Sequence, residues 1–159
     1  MAITETRSID IARPVDAVFA ELVDVEAWPD WLIASGVVAV ERLAGADGLV
    51  APLGPGVPLR IEQRLAGVRS AVIEASVAAF EEPVRFAVSG RDSDGIAVDI
   101  DATIEDVPSD GSCRLTWQLR IGLPLRLRLF ESMAAPQVRR ALALDLEALR
   151  VRLESTPTD

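Results

Sequence analysis

The alternation of apolar and polar positions changes period along the chain, and each change marks an element. "ITETRSIDIA", residues 3–12, reads as a strand with Ile9 and Ile11 on one face. Arg13-Pro14 follows, and proline is at home in a helix's first turn, where its missing N–H is not needed. "VDAVFAELV" then sets Val15, Val18, Phe19 and Leu22 at helical spacing, a short amphipathic helix. Asp24 stands where its side chain can cap a second short helix in "VEAWPDW", and Pro29 keeps that helix from growing long. Two short helices bury little alone, so Trp28 and Trp31 are expected to plug them against a larger body, a sheet. "GVVAVERLAG", 36–45, is the next strand, and the glycine- and proline-dense "GADGLVAPLGPGVP", 45–58, is a loop, either an ordinary connection or a flap.

From residue 59 onward the period is two. "LRIEQRL" sets Leu59, Ile61 and Leu65 against Arg60, Glu62 and Arg64, with Gln63 on the apolar face. After a tight turn come "RSAVIEASVAAF" (69–80), "VRFAVSG" (84–90), "IAVDIDATIEDV" (96–107) and "CRLTWQLRIGL" (113–123). For the last two, one register places Glu105 opposite Arg114 and Asp99 opposite Arg120. The same register places Ile104 opposite Leu115, Ala102 opposite Trp117 and Ile100 opposite Leu119. One face is then apolar and the other charge-complementary, and a one-residue slip reverses both. "LRLRLFESMAA" (125–135) opens a helical segment in which Pro136 kinks or restarts the helix. Val138, Leu142, Leu146, Leu149 and Leu153 mark its apolar stripe, on a helix of about 18 residues and about 27 Å.

A chain of 159 residues fits one domain, 1–159, with a tail expected to fray from about 155 to 159. No stretch approaches the ~20 apolar residues of a membrane span, and the N-terminus lacks the pattern of a signal peptide. A lone cysteine, Cys113, excludes an internal disulfide and fits a reducing cytoplasm; it reads as a small packing residue. Net charge is −9 and all sixteen cations are arginine, scattered along the chain, so nucleic acid is not an expected partner. There is no His, Lys, Tyr or Asn. That removes Ser-His-Asp and Cys-His pairs, Schiff-base lysines, tyrosine acids and P-loops, and it makes a zinc site unexpected. Carboxylates, hydroxyls, arginines and one thiol remain. The arginine-only, asparagine-free composition points to a GC-rich, bacterial genome.

The order is strand, two short helices, six strands, long helix. Alternating patterns and short turns argue for antiparallel pairing, and a one-sided sheet must cover its apolar face. The expected class is therefore α+β, a curved seven-stranded antiparallel sheet wrapped around the C-terminal helix. The segments "IDIARPVDAVFAELVDVEAWPDW", "AFEEPVRFAV", "GSCRLTWQL" and "RRALALDLEALRVRLE" occur in this order over roughly residues 3–154. In them the whole chain resembles the START-like, or SRPBCC, superfamily, and within it the polyketide cyclase/dehydrase-like group. The resemblance implies a helix-grip fold with a deep, mostly apolar cavity between sheet and helix. It also implies binding of lipids, polyketides, hormones or other hydrophobic molecules; no cofactor is expected.

Inward positions expected to line such a cavity are Phe86, Val88, Val98, Ile100, Trp117 and Leu119 from strands. Phe130, Met133, Val138 and Leu142 are expected to close it from the helix, and Trp31 to touch it. Gln63 and Glu74 are the polar candidates inside, if Glu74 pairs with Ile61 and Gln63 with Val72. A neighbouring register puts Glu74 outside. A buried carboxylate suits a general acid or a ligand anchor. Asp92, Asp94, Asp99 and Asp101 read as a solvated edge rather than a cation site. The leading functional reading is a non-catalytic carrier or sensor of a small hydrophobic molecule. The alternatives are a cyclase or dehydratase working through Glu74 and a protein-interaction module. A homodimer stays open.

Overall fold

The computed structural model describes residues 2–65, 69–108 and 110–157. The expected tight turn before residue 69 and the last tail residues lie outside the described residues. Seven strands are formed: β1 (Ala2–Ile11), β2 (Val37–Arg42), β3 (Pro58–Leu65), β4 (Arg69–Glu81), β5 (Arg85–Arg91), β6 (Ala97–Val107) and β7 (Ser112–Gly122). They make one antiparallel sheet in the order β1-β7-β6-β5-β4-β3-β2. Between β1 and β2 lie helix α1 (Val15–Val23) and a 3-10 helix, Val25–Asp30; after β7 come a second 3-10 helix, Leu125–Phe130, and helix α2 (Glu131–Ser155). This is the helix-grip arrangement. At 25 residues, α2 is about 37 Å long, longer than its leucine stripe alone foretold.

The short helices follow their sequence closely. Pro14 sits one residue ahead of α1, and Val18, Phe19 and Leu22 are its buried face. Asp24 precedes the first 3-10 helix as expected but makes no side-chain cap; that helix carries Pro29 within it. Trp28 and Trp31 are both fully buried, and Trp28 Nε1 donates to the Leu22 carbonyl at 2.9 Å. All three tryptophans meet. Trp28 lies edge-on to Trp31, Trp117 and Phe86 with ring centroids 6.1–6.3 Å apart, and Trp31 lies 5.6 Å from Trp117. Such pairs contribute about 0.5–1.5 kcal/mol each beyond the area they bury.

The β6–β7 register is the expected one throughout, including Asp99 with Arg120 and Ile100 with Leu119. The β3–β4 register is not. Ile61 pairs with Ile73, Gln63 with Ala71, and Glu74 with Arg60. In its pairing with β5, β4 carries a bulge between Val77 and Ala79. Counting back from Phe80 at strict period two places Glu74 inside; the bulge reverses the parity, so Val77 and Ile73 point in. Burying Ile73 rather than a carboxylate also favours this register. Glu74 is exposed on the outer face.

Helix α2 is fixed at its C-terminal end. Leu142, Leu146, Leu149 and Leu153 are buried. The Arg13 guanidinium donates to the carbonyls of Leu153 and Thr156, satisfying acceptors that a helix end leaves open. Ala12 N–H donates to Glu154, and Arg152 pairs with Glu21 and Asp30. Pro136 sits within the helix without ending it; it denies the Ser132 carbonyl its N–H partner near the opposite end.

Strands β4 and β5 approach closely at Gly90. A Cβ on Gly90 falls 2.7 Å from the Ala75 Cβ, 2.8 Å from the Glu74 carbonyl oxygen and 2.8 Å from Ile73 Cγ2. Only glycine permits this approach without a backbone shift. Gly90→Ala is expected to destabilise the fold by about 1–3 kcal/mol in urea denaturation. An unchanged midpoint would show that the two strands part at no cost.

Candidate functional site

The inner surface of the grip is sealed at one end and open at the other. Three elements show the same gradient. Along β7 the inward residues Cys113, Leu115 and Trp117 are buried, then Leu119 and Ile121 are half-buried. Along β6, Ile104 and Ala102 are buried, then Ile100 and Val98 are half-buried. Along α2, Leu153 to Leu142 are buried, Val138 is half-buried, and Met133 and Phe130 are exposed. Cross-strand pairing puts Ile100, Leu119 and Glu5 in one row on this face.

The expected cavity residues therefore divide. Trp31, Phe86, Val88, Trp117 and Leu142 are part of the core cluster at the sealed end. Val98, Ile100, Leu119 and Val138 border the open half. Phe130 and Met133 do not close anything: the 3-10 helix before α2 buries none of its residues. The periodicity of "LRLRLF" sets its leucines together but carries no information on whether another element reaches them. Glu74 faces outward and is corrected above. Gln63 is inward and half-buried, but its Nε2 is committed to the Ser35 carbonyl at 2.7 Å.

Two carboxylates on the inner side escaped the sequence reading. Glu5, on β1, accepts from Arg139 of α2 at 3.1 Å, bridging edge strand and helix across the open half. Asp145 lies on the leucine face of α2 and is 1% exposed. It accepts from the Ala34 N–H at 2.8 Å, the Ser35 N–H at 3.0 Å and the Ser35 hydroxyl. Burial pushes its carboxyl above the ordinary value of 3.8, and these three donors oppose that shift. Asp145, Ser35 and Gln63 thus join the helix, the segment after the tryptophans and strand β3. A charged residue interrupting a leucine stripe was the available signal.

Elsewhere, the Cys113 thiol is buried and raised to about 11, first by desolvation and then by Asp106 and Asp10, which makes it a poor nucleophile. Asp92 departs from the solvated edge expected of it: it accepts from the Asp94 and Ile96 N–H groups and pairs with Arg69 at 2.7 Å. It is a turn anchor. The Trp31 indole N–H is buried and has no acceptor among the described residues. Two open clefts lie away from the helix. One of about 640 Å³ spans β3 to β5, bordered by Gln63 and Glu74 among others; one of about 480 Å³ lies beside the 45–58 loop.

The family model described as "Polyketide cyclase / dehydrase and lipid transport" matches residues 2–154. No curated protein sequence matches the chain. Among solved structures, the ZhuI aromatase/cyclase from Streptomyces sp. R1128 superposes with TM-score 0.73 at 14% identity, covering 97% of this chain and 94% of that one. A START superfamily protein from Mycobacterium smegmatis gives 0.64 at 19%, covering 95% and 97%. A truncated norcoclaurine synthase from Thalictrum flavum gives 0.66 at 12%, covering 99% and 96%. At these identities the likeness is one of fold.

Asp145→Ala leaves two backbone N–H groups and a hydroxyl without their acceptor and is expected to cost about 2–4 kcal/mol in chemical denaturation. The folded protein holds the Asp145 proton to higher pH than the unfolded chain does. Its contribution to stability is therefore greatest below the ordinary carboxylate range and falls as pH rises through the folded value. The gap between wild type and Asp145→Ala should widen on acidification from neutral pH. A gap that narrows would mean the three donors outweigh desolvation.

Proposed function

The chain belongs to the polyketide cyclase/dehydrase and lipid transport family, and on that footing we propose that it holds a small hydrophobic molecule, without transforming it, in the open half of its grip. The observation that carries this reading is the shared burial gradient on β6, β7 and α2. Apolar side chains on the facing surfaces, Val98, Ile100 and Leu119 of the sheet and Val138 of the helix, are left only half covered by their own protein. Apolar walls with a few polar groups are how such sites retain oily guests. Glu5 and Arg139 supply polar groups at the edge.

Holding is favoured over catalysis by the fate of the carboxylates. The acid chemistry considered for this chain needed Glu74 inside, and Glu74 is outside. Glu5 is ion-paired, and Asp145 is occupied by three donors. Neither is placed to give up or take a proton without loosening the contact between α2 and its neighbours.

Ile100→Trp combined with Leu119→Trp fills the open half and is expected to weaken binding of a fluorescent naphthylamine probe at least tenfold, on the order of 1.4 kcal/mol. Near-UV circular dichroism checks that the variant stays folded. Glu74→Gln should bind the probe as wild type does. The proposal fails if the filled variant keeps full affinity.

A further inference from the structure

We propose that the segment from Pro124 to Met133 docks on an anionic membrane surface and presents the open half of the grip to it. The purpose of such docking rests on the guest-holding reading, but the contact itself does not.

The first observation is contiguous apolar exposure. Leu125 is 80% exposed, Leu129 88%, Phe130 52% and Met133 61%. Isolated exposed leucines are ordinary. Four large apolar side chains within nine residues, three of them on a 3-10 helix that buries nothing, form a surface that water does not favour.

The second is charge. The chain carries −9, yet the segment from Pro124 to Met133, "PLRLRLFESM", holds Arg126 and Arg128 against one acid, Glu131. Arg128 makes no ion pair among the described residues. Arg126 donates to the Asp94 carbonyl at 2.5 Å and lies 3.9 Å from that residue's carboxylate, while staying largely exposed. A local cationic and apolar segment on an acidic protein matches an interface of acyl chains below and anionic headgroups above. Arginine stems lie along the apolar layer while their guanidinium groups reach the headgroups.

The third is position. The segment continues from the end of β7, directly after the half-buried Leu119 and Ile121, and leads into the turns of α2 that precede Val138. The exposed apolar group thus adjoins the uncovered inner face. A second copy of the chain is a poorer occupant. A two-fold contact through this patch sets Arg126 and Arg128 against their own counterparts, where like charges repel.

The test is co-sedimentation with vesicles of phosphatidylcholine alone and of phosphatidylcholine mixed with phosphatidylserine, read beside naphthylamine probe binding in solution. Wild type is expected to bind the mixed vesicles and to prefer them over neutral ones. Leu125→Glu with Leu129→Glu, and separately Arg126→Gln with Arg128→Gln, should each lower vesicle binding about tenfold or more, with solution probe affinity unchanged. Absence of wild-type binding to the mixed vesicles overturns the proposal, as does binding that both variants retain. It is also overturned if the leucine variant loses probe affinity in solution, which marks the segment as a lid. A concentration-dependent dimer that the leucine variant abolishes overturns it in favour of self-association. Vesicle binding in a protein that takes up no probe leaves the docking standing and removes the guest-holding reading instead.

Discussion

The structure depends on one knot of aromatic rings. Aromatic residues are scarce here, three tryptophans and four phenylalanines, and all three tryptophans meet at one place with Phe86. Trp28 and Trp31 come from the short helices, Trp117 from β7 and Phe86 from β5, so the knot joins the N-terminal helical segment to the centre of the sheet. A small curved sheet cannot be filled along its whole length by alanine and valine. Concentrating the large side chains at one end closes that end and leaves the inner residues of the other half-buried.

Helix α2 is built to match. Its last turns are held by four leucines, by Arg13 on the terminal carbonyls, and by Arg152 with the first helices. Its middle is pinned by Asp145 to the backbone just beyond the tryptophans. Its first turns carry exposed side chains, and near them the exposed Arg139 reaches over the largely covered Glu5 in a single ion pair. Cohesion falls along the helix in the same direction as burial falls along β6 and β7.

Most of the fold was legible from the residues. The element order, the double-tryptophan plug and the β6–β7 register follow from period, proline placement and charge pairing, which are local signals. What failed was non-local or irregular. The β3–β4 pairing is one residue off the expected one, which puts Glu74 on the outer face, and the bulge after Val77 has no mark in the sequence. The exposure of Phe130 and Met133 depends on how far the sheet reaches under α2, which periodicity does not encode. Asp145 was visible as a charge within a leucine stripe, but its partners are backbone N–H groups over 100 positions away, and backbone donors leave no trace in residue identity. Gln63 was rightly placed on the inner face, and its commitment to Ser35 was hidden for the same reason.

Pro136 takes on a role in this setting that it lacks as a mere helix irregularity. It removes one backbone link at the point where α2 passes from its anchored length to its unsupported first turns. The helix is thereby a cantilever with its softest section at the base of the free arm. Deflecting that arm strains neither the aromatic knot nor the clamp at the far end. On the guest-holding proposal, the size of the guest is in this way uncoupled from the free energy that keeps the protein folded.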